Sequence, residues 1–110
     1  MEPDQCMEAL FALGQEGRLN IVRLLVRCGQ QGLSAVEITK QIDMNSATLA
    51  GHLAVLRRAK LIRRTRKSRW VIYRIDLETI RLLVLSLVWD TYGGDDKLRS
   101  ALVAGLGPSA

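Results

Sequence analysis

The sequence predicts a single, mainly α-helical domain that carries one β-hairpin. Three features of the 110-residue chain predict this architecture: apolar residues recur at helical spacing, glycines and polar caps divide them into short helices, and one segment is rich in aromatic and β-branched residues. A chain of this length with 48% hydrophobic residues fits one compact core. We assign the folded domain to residues 1–92 and a mobile tail to residues 93–110, which are rich in glycine, serine and alanine.

The first two predicted helices are short, and a glycine follows each of them. Asp4 is placed to cap a helix that ends at Leu13, and a second helix extends from about Gly17 to Cys28. Apolar side chains cover all but a narrow strip of the second helix, which predicts that it lies within the core.

Two further helices joined by a tight turn predict a helix-turn-helix. Ser34 and Glu37 have the spacing of a capping box, so a third helix is expected over about Ala35 to Ile42. A fourth helix, Asn45 to Ala59, follows after a turn of two residues.

The fourth helix, capped by Asn45 or Ser46, has two unlike faces. Leu49, Leu53 and Leu56 fall on one side. The opposite face carries small residues and one arginine: Ala47, Ala50, Gly51, Ala54 and Arg58. Alanine is a strong helix former, which is a sufficient reason for the alanines, but a helical glycine costs about 1 kcal/mol relative to alanine. Helix propensity alone therefore does not explain why this face, which we call the bare face, carries mainly small residues.

A strongly basic segment follows the bare face and predicts the hairpin. Residues 44–75 hold nine lysines and arginines and no Asp or Glu, so the rest of the chain is net acidic although the whole carries +5. The run from Arg69 to Ile75 is rich in aromatic and β-branched residues and follows the basic Arg63 to Arg66 after a turn at Lys67-Ser68. Localised positive charge is typical of a protein with a polyanionic partner, although basic surfaces also serve solubility.

The last predicted helix, from Asp76 to Tyr92, is apolar around most of its circumference. Its main polar stripe consists of Thr79, Ser86 and Asp90. A domain of this size can rarely cover such a helix with its own atoms, so we expect a second subunit to cover it; complete burial within the monomer is the alternative.

Several classes of protein do not fit this sequence. No apolar run is long enough to span a bilayer, and the N-terminal MEPD is acidic where a secretory signal carries positive charge, so we expect a cytoplasmic protein without a membrane partner. Cys6 and Cys28 lie far apart and in no zinc-ligand spacing, which suits a reducing compartment. The lone His52 has no cysteine or acidic residue near it, and no glycine-rich phosphate loop is present. We therefore expect neither an enzyme nor a small-molecule substrate.

A helix-turn-helix followed by a basic hairpin is the arrangement of a winged helix-turn-helix. In that fold the second helix of the motif enters a major groove of double-stranded DNA, and the hairpin lies on phosphates or in the adjacent minor groove. Small side chains would let the fourth helix approach base edges closely. The alternative function is a winged-helix adaptor that binds a protein or RNA through its basic segment.

Two stretches of the chain carry a resemblance to a known family. ALGQEGRLNIVRLLV and LSAVEITKQIDMNSATLAGHLAVLRRAKLIRRTRKSRWVIYRI resemble the ArsR/SmtB-type winged-helix repressors of bacteria, over residues 7–92. The resemblance implies a homodimer built on the first and last helices that binds imperfect inverted repeats in promoters. It also implies release from DNA when a metal, metalloid or thiol-oxidising signal reaches the protein.

The resemblance also implies which residues contact DNA. The positions that match the recognition helix are Asn45, Ser46, Ala47, Thr48, Ala50, Gly51 and His52, to which the basic segment adds Arg57. The positions that match the wing are Arg64, Arg66, Lys67 and Arg69. Relatives usually carry larger polar residues where this chain has Ala50 and Gly51. His52 lies at the edge of the leucine face, and its alternative is a packing or hydrogen-bonding residue instead of a ligand.

The sensing sites of the family do not match in their usual form. Ser34 to Glu37 stands where arsenite repressors often carry a cysteine pair, and the last helix lacks the histidines of zinc sensors. Cys6 and Cys28 are candidate sensing thiols for a metal or metalloid effector or an oxidant, and their alternative is packing as small apolar side chains. A trivalent metalloid prefers about three thiolates, so two would need a partner subunit or an outside thiol.

The aromatic residues are expected to lie in the core and in the interface between subunits: Trp70, Tyr73, Trp89 and Tyr92. Only Trp70 lies among the basic residues, where an exposed ring could stack on a base of a single strand.

Overall fold

The computed structural model of the chain describes residues 1–90 and 96–105. The helices in those ranges are α1 (Pro3–Leu13), α2 (Glu16–Cys28), α3 (Ala35–Gln41), α4 (Ser46–Arg58), α5 (Leu77–Leu85) and α6 (Asp96–Gly105). A 3-10 turn, Gly29–Gln31, follows α2, and a π-helical turn, Ser86–Asp90, continues α5. Strands β1 (Ile62–Lys67) and β2 (Trp70–Ile75) form an antiparallel hairpin. The predicted winged helix-turn-helix, with its order of four helices, a hairpin and a further helix, is confirmed.

Local hydrogen bonds start the two helices of the helix-turn-helix. The Glu37 amide donates to Ser34 Oγ at 3.2 Å while the Ser34 amide donates to Glu37 Oε1 at 2.9 Å, so the predicted capping box is present. The Thr48 amide donates to Asn45 Oδ1 at 2.8 Å. Asn45, rather than Ser46, is therefore the cap of α4.

The start of α1 differs from the sequence prediction. Asp4 lies inside the first turn instead of capping it, because the helix already begins at Pro3, whose missing amide is tolerated there. Glu2 is the cap, and its amide donates to Gln5 Oε1 at 3.3 Å. Asp4 still places a negative charge near the positive end of the helix dipole.

The core lies between α2 and the elements that surround it. Its largest fully buried side chains come from α2, α3, α4 and the turn into β1: Ile21, Leu25, Ile38, Leu49, Leu56 and Leu61. The three leucines predicted to share one face of α4 are all buried, whereas every residue on the predicted bare face is exposed. The orientation of α4 inferred from its periodicity is correct.

An isolated β-bridge between Leu33 and Tyr73 joins the wing to the helix-turn-helix. The Leu33 amide donates to the Tyr73 carbonyl at 3.0 Å, and the Tyr73 amide donates back to the Leu33 carbonyl at 2.8 Å. Gly32, at φ +69°, makes this approach possible, because a Cβ there would lie 2.6 Å from the Tyr73 carbonyl oxygen. The start of α3 and the strand β2 are thus held together by backbone bonds.

Helix α5 and its π-helical extension differ from the polar stripe that the sequence predicts for this part of the chain. Asp76 caps α5 as expected, accepting from the Thr79 amide at 3.1 Å. Ser86, however, is buried at 4% exposure, while three apolar side chains of α5 and its extension are exposed: Leu77, Val84 and Leu87. The serine faces inward because it lies on the side of the helix that packs on the core, and periodicity alone does not show which side that is. Tyr92 lies outside the described residues.

The tail holds more structure than the sequence predicts. We expected a mobile tail over residues 93–110, and ten of those residues form the helix α6. The mobility of the tail stays a prediction. None of the described helices combines the length and the apolar character needed to cross a bilayer.

Candidate nucleic-acid interface

In its first two turns, the outward face of α4 is built from small, uncharged residues. All the residues in the first two turns that the family resemblance assigns to DNA are exposed except His52: Asn45, Ser46, Ala47, Thr48, Ala50 and Gly51. Nothing lies within 4 Å of the position that a Cβ on Gly51 would occupy. No contact within the described structure therefore requires a glycine there.

His52 lies on the side of α4 that packs against α2. Its ring is half-buried, and its Nδ1 atom is 3.5 Å from Arg18 Nη1. Burial, together with the positive charge of Arg18, holds the pKa of His52 below its ordinary value. His52 thus belongs to the packing between α4 and α2 and does not share the outward face with Gly51.

The wing presents a cluster of exposed cations. Its four matched residues are all exposed: Arg64, Arg66, Lys67 and Arg69. Within residues 1–90 and 96–105, none of these four pairs with a carboxylate, whereas Arg63 pairs with Asp76 and Arg81 with Glu78. The four wing cations therefore keep their full charge available to an external anion.

Trp70 is exposed beside these cations. Its side chain is 53% exposed, and the Arg69 guanidinium lies 5.6 Å from its ring centroid. Trp70 therefore does not pack in the core of the subunit, and its place in an interface stays a prediction, whereas Tyr73 is half-buried against the core as expected. The side chain of Trp89 lies outside the described residues.

Two arginines of the basic segment anchor the wing to the rest of the domain. Arg63 Nε donates to Asp76 Oδ2 at 2.8 Å, which ties β1 to the start of α5. Arg74 Nε donates to the Gln30 carbonyl at 2.7 Å, and its Nη1 donates to the Thr65 hydroxyl. The charge pattern of the sequence groups Arg63 and Arg74 with the residues that could bind nucleic acid. Their hydrogen-bond partners show that both residues hold the wing to the rest of the domain.

The candidate sensing thiols are separate half-buried residues. Cys6 on α1 and Cys28 at the end of α2 are both free thiols that pack against the core. Among the residues that the structure describes, no three His, Cys, Asp or Glu side chains come together as a set of metal ligands. A thiol in this environment can react with an oxidant only as far as the surrounding packing admits the reagent.

Sequence comparison finds a relative among bacterial regulators. No protein-family model matches the chain. The chain is 30% identical over 69 residues to the HTH-type transcriptional regulator KmtR of Mycobacterium tuberculosis, a match that covers 63% of this chain. The matched part spans only about half, 53%, of the length of KmtR.

Comparison with solved structures finds the same fold in regulators of one family. An ArsR-like transcriptional regulator from Rhodococcus sp. RHA1 superimposes with a TM-score of 0.70 at 19% identity, covering 96% of this chain and 95% of that one. The homodimeric winged helix-turn-helix DNA-binding domain of Mb0332 from Mycobacterium bovis, a possible ArsR-family regulator, has a TM-score of 0.64 at 29% identity and covers 77% of each chain. With the helix-turn-helix, the basic wing and the order of elements already described, these likenesses show that the chain has the winged helix-turn-helix fold of ArsR-family transcriptional regulators.

Proposed function

We propose that the chain is a dimeric transcriptional repressor that binds an inverted-repeat operator in double-stranded DNA. The recognition helix, residues 45–59, would enter the major groove with its bare face toward the bases. The wing, Arg63 to Arg69, would lie on phosphates or in the neighbouring minor groove. The observation that carries this proposal is that the outward face of α4 is exposed and uncharged in its first two turns, with open space at Gly51, and that exposed wing cations follow it in the chain. These cations pair with none of the described carboxylates.

The bare face has a chemical use in a major groove. Alanine methyls can contact thymine methyl groups, and a glycine allows the backbone to come close to base edges. Ser46 and Thr48 offer hydroxyls to phosphates or bases at the start of the helix. Arg57, exposed two turns further on, is placed to reach a phosphate at the other end of the groove contact.

Exposed apolar side chains on α1 and α5 support a homodimer. On α1 they are Met7, Leu10 and Phe11, and on α5 and its extension they are Leu77, Val84 and Leu87. Apolar side chains of this size are favoured in an interface that removes them from water. The homodimeric Mycobacterium bovis domain has the same fold, which supports the same assembly here.

The proposed activity is the regulation of transcription and not catalysis. The proposed location is the cytoplasm, which contains the DNA and keeps thiols reduced.

An effector that releases the dimer from DNA would have to act through Cys6 or Cys28 or through a site formed between subunits. Two half-buried thiols in each subunit suit an oxidant better than a metalloid, which prefers about three thiolates.

An electrophoretic mobility-shift assay tests the function. The purified protein is titrated against the DNA upstream of its own gene and against an unrelated fragment of equal length and base composition, at two salt concentrations. We expect a shift of the upstream fragment at a concentration at least about tenfold below that of the unrelated fragment. Equal shifts of both fragments, or binding to RNA of unrelated sequence with the same affinity, would favour the adaptor function instead.

A further inference from the structure

One arginine joins the first helix to the recognition helix. Arg18, in the first turn of α2, donates from Nε to the Ala12 carbonyl at 2.6 Å and from Nη2 to the Phe11 carbonyl at 3.3 Å. Both carbonyls lie in the last turn of α1, where no amide four residues further on in the helix can reach them. The Phe11 carbonyl also accepts from the Gly14 amide at 3.2 Å. Arg18 therefore closes the C-terminal end of α1.

The remaining nitrogen of the same guanidinium reaches α4. Arg18 Nη1 lies 3.5 Å from His52 Nδ1, although 34 positions separate the two residues in the chain. Burial and the charge of Arg18 lower the pKa of His52 and so favour its neutral ring, which accepts at Nδ1 in the tautomer that carries its proton on Nε2. One planar side chain thus contacts both α1 and α4.

The atoms around this contact are closely packed. A Cβ added to Gly17 would lie 3.0 Å from His52 Nε2 and 3.1 Å from both Gln15 Oε1 and Met44 Cε. The absence of a side chain at Gly17 lets the histidine ring lie directly on the first turn of α2. A small displacement of α4 would therefore be resisted by close-packed atoms as well as by the guanidinium.

Arg18 also touches the surface proposed to form the dimer. Its guanidinium carbon lies 5.5 Å from the centroid of the Phe11 ring, and Phe11 is 70% exposed on α1. The arginine therefore lies between a residue of the proposed subunit interface and a residue of the recognition helix.

We propose that Arg18 is a positioning residue that holds α4 at a fixed distance and angle from α1, and so sets the spacing between operator half-sites that the dimer accepts. The inference rests on the proposed function, because half-site spacing has a meaning only for a dimer on DNA. A dimeric helix-turn-helix protein binds half-sites about one helical turn apart, and one base pair more rotates a half-site by about 34°. A dimer whose recognition helices are rigidly attached cannot follow that rotation, whereas one with loosened helices can.

The chemistry of the contact requires an arginine. A guanidinium has five N–H donors in a fixed plane, so it can serve two carbonyls and a ring nitrogen together. A lysine at this position would keep the charge, but its single ammonium group cannot span α1 and α4 in the same geometry. Arg18→Lys therefore separates the bridging role from a simple effect of charge.

The experiment measures how affinity depends on the spacer between half-sites. An operator is first obtained by in vitro selection from random DNA with the wild-type protein, and derivatives with one base pair added to or removed from the spacer are then made. Binding of each DNA is measured for the wild type, Arg18→Gln, Arg18→Lys and His52→Leu. Arg23→Gln, which removes an exposed arginine from the same helix, is the matched control. Sedimentation and thermal melting of every variant accompany the binding curves.

We expect the wild type and Arg23→Gln to lose at least about tenfold in affinity when the spacer changes by one base pair, a cost set by twisting the DNA to fit. The three variants at Arg18 and His52 should bind the selected operator more weakly but lose less than about threefold on the altered spacers. His52→Leu keeps the hydrogen bonds from Arg18 to α1 and removes only the contact with α4. It therefore tests the bridge between α1 and α4 even if Arg18→Gln does not fold.

Two results would overturn the inference while leaving the proposed function intact. One is a folded, dimeric His52→Leu protein with the same spacer penalty as the wild type. The other is a wild-type profile for Arg18→Lys, which would mean that positive charge alone suffices. By contrast, a wild type that selects no paired half-sites would show that the proposed function itself is wrong.

Discussion

Arg63 Nε lies 2.8 Å from Asp76 Oδ2, and this ion pair connects the wing to the helix that follows it. The same carboxylate accepts a hydrogen bond from the Thr79 amide at 3.1 Å and so caps α5. Burial opposes ionisation of Asp76, but the hydrogen bonds from Arg63 and Thr79 and the charge of Arg63 outweigh it and lower its pKa. One side chain therefore fixes the base of the wing and the start of α5.

Replacing Asp76 separates its two contacts. Asp76→Ala should lower the free energy of unfolding by about 1 kcal/mol, mainly because the cap is removed, since the Arg63 side chain is 72% exposed and its ion pair contributes little. Asp76→Asn keeps the acceptor for Thr79 and should cost less. Urea unfolding of both variants at pH 7 measures the difference.

The same aspartate predicts a dependence of stability on pH. Because the pKa of Asp76 is lower in the folded than in the unfolded state, its ionised form stabilises the fold above the unfolded value. That contribution is lost as the pH falls below about 4 and through the folded value. The wild type should therefore lose its advantage over Asp76→Asn in acid. A difference that stays constant from pH 7 to pH 3 would contradict this assignment.

The wing cations predict a change in the salt dependence of binding. If Arg66 and Lys67 lie on phosphates, the Arg66→Ala, Lys67→Ala double variant should flatten the slope of log affinity against log salt by about 0.9 for each phosphate that a subunit no longer neutralises. Specificity between DNA sequences should change little. The control is Arg23→Ala, Arg27→Ala, which removes two exposed arginines from α2. An unchanged slope in the wing variant would mean that the wing does not lie on DNA.

Two leucines one helical turn apart distinguish core from subunit interface. Leu83 is 4% exposed and Leu87 is 39% exposed. Leu83→Asp should unfold the domain, because it buries a charge without a partner. Leu87→Asp should leave the monomer folded while abolishing the dimer and, with it, high-affinity DNA binding. Circular dichroism and sedimentation check both outcomes, and a Leu87→Asp protein that remains dimeric would exclude that part of α5 from the interface.

Gly51 tests whether the bare face of α4 lies in a groove. Its Cβ position is open, so Gly51→Glu should not disturb the fold, and glutamate is the better helix former by about 0.5 kcal/mol. Thermal stability should hold or rise while specific DNA binding falls at least about tenfold, which corresponds to about 1.4 kcal/mol. Gly51→Ala adds one methyl group without charge and should cost less. Wild-type affinity in Gly51→Glu would mean that this face does not meet DNA.

The half-buried thiols predict slow reaction in the folded protein. Cys6 and Cys28 should react with a thiol reagent more slowly than in urea, because both pack against the core. If either thiol carries the releasing signal, the Cys6→Ser, Cys28→Ser variant will bind the operator and fail to be released by arsenite, antimonite, zinc or an oxidant. Equal release of the wild type and this variant by every agent would assign both cysteines to packing.

The sequence by itself determined the local parts of this structure. The caps at Ser34, Asn45 and Asp76 each join residues three positions apart, so their spacing is visible in the chain. The leucine face of α4 was equally visible, because a helix with a leucine-rich side in water turns that side inward. The basic, aromatic-rich segment determined the hairpin, and the family resemblance extended these elements to a candidate function.

Only the tertiary structure decided which long-range partner each side chain meets. Periodicity predicts which residues share a helix face, but it does not identify what lies opposite that face. His52 therefore turned out to meet Arg18, and Ser86 to face the core. The sequence shows only that Arg63 and Trp70 lie in the same basic segment. In the structure, Arg63 is paired with Asp76 and Trp70 is exposed. The physical reason is that contacts between distant residues depend on how whole elements pack, which no short window of sequence contains.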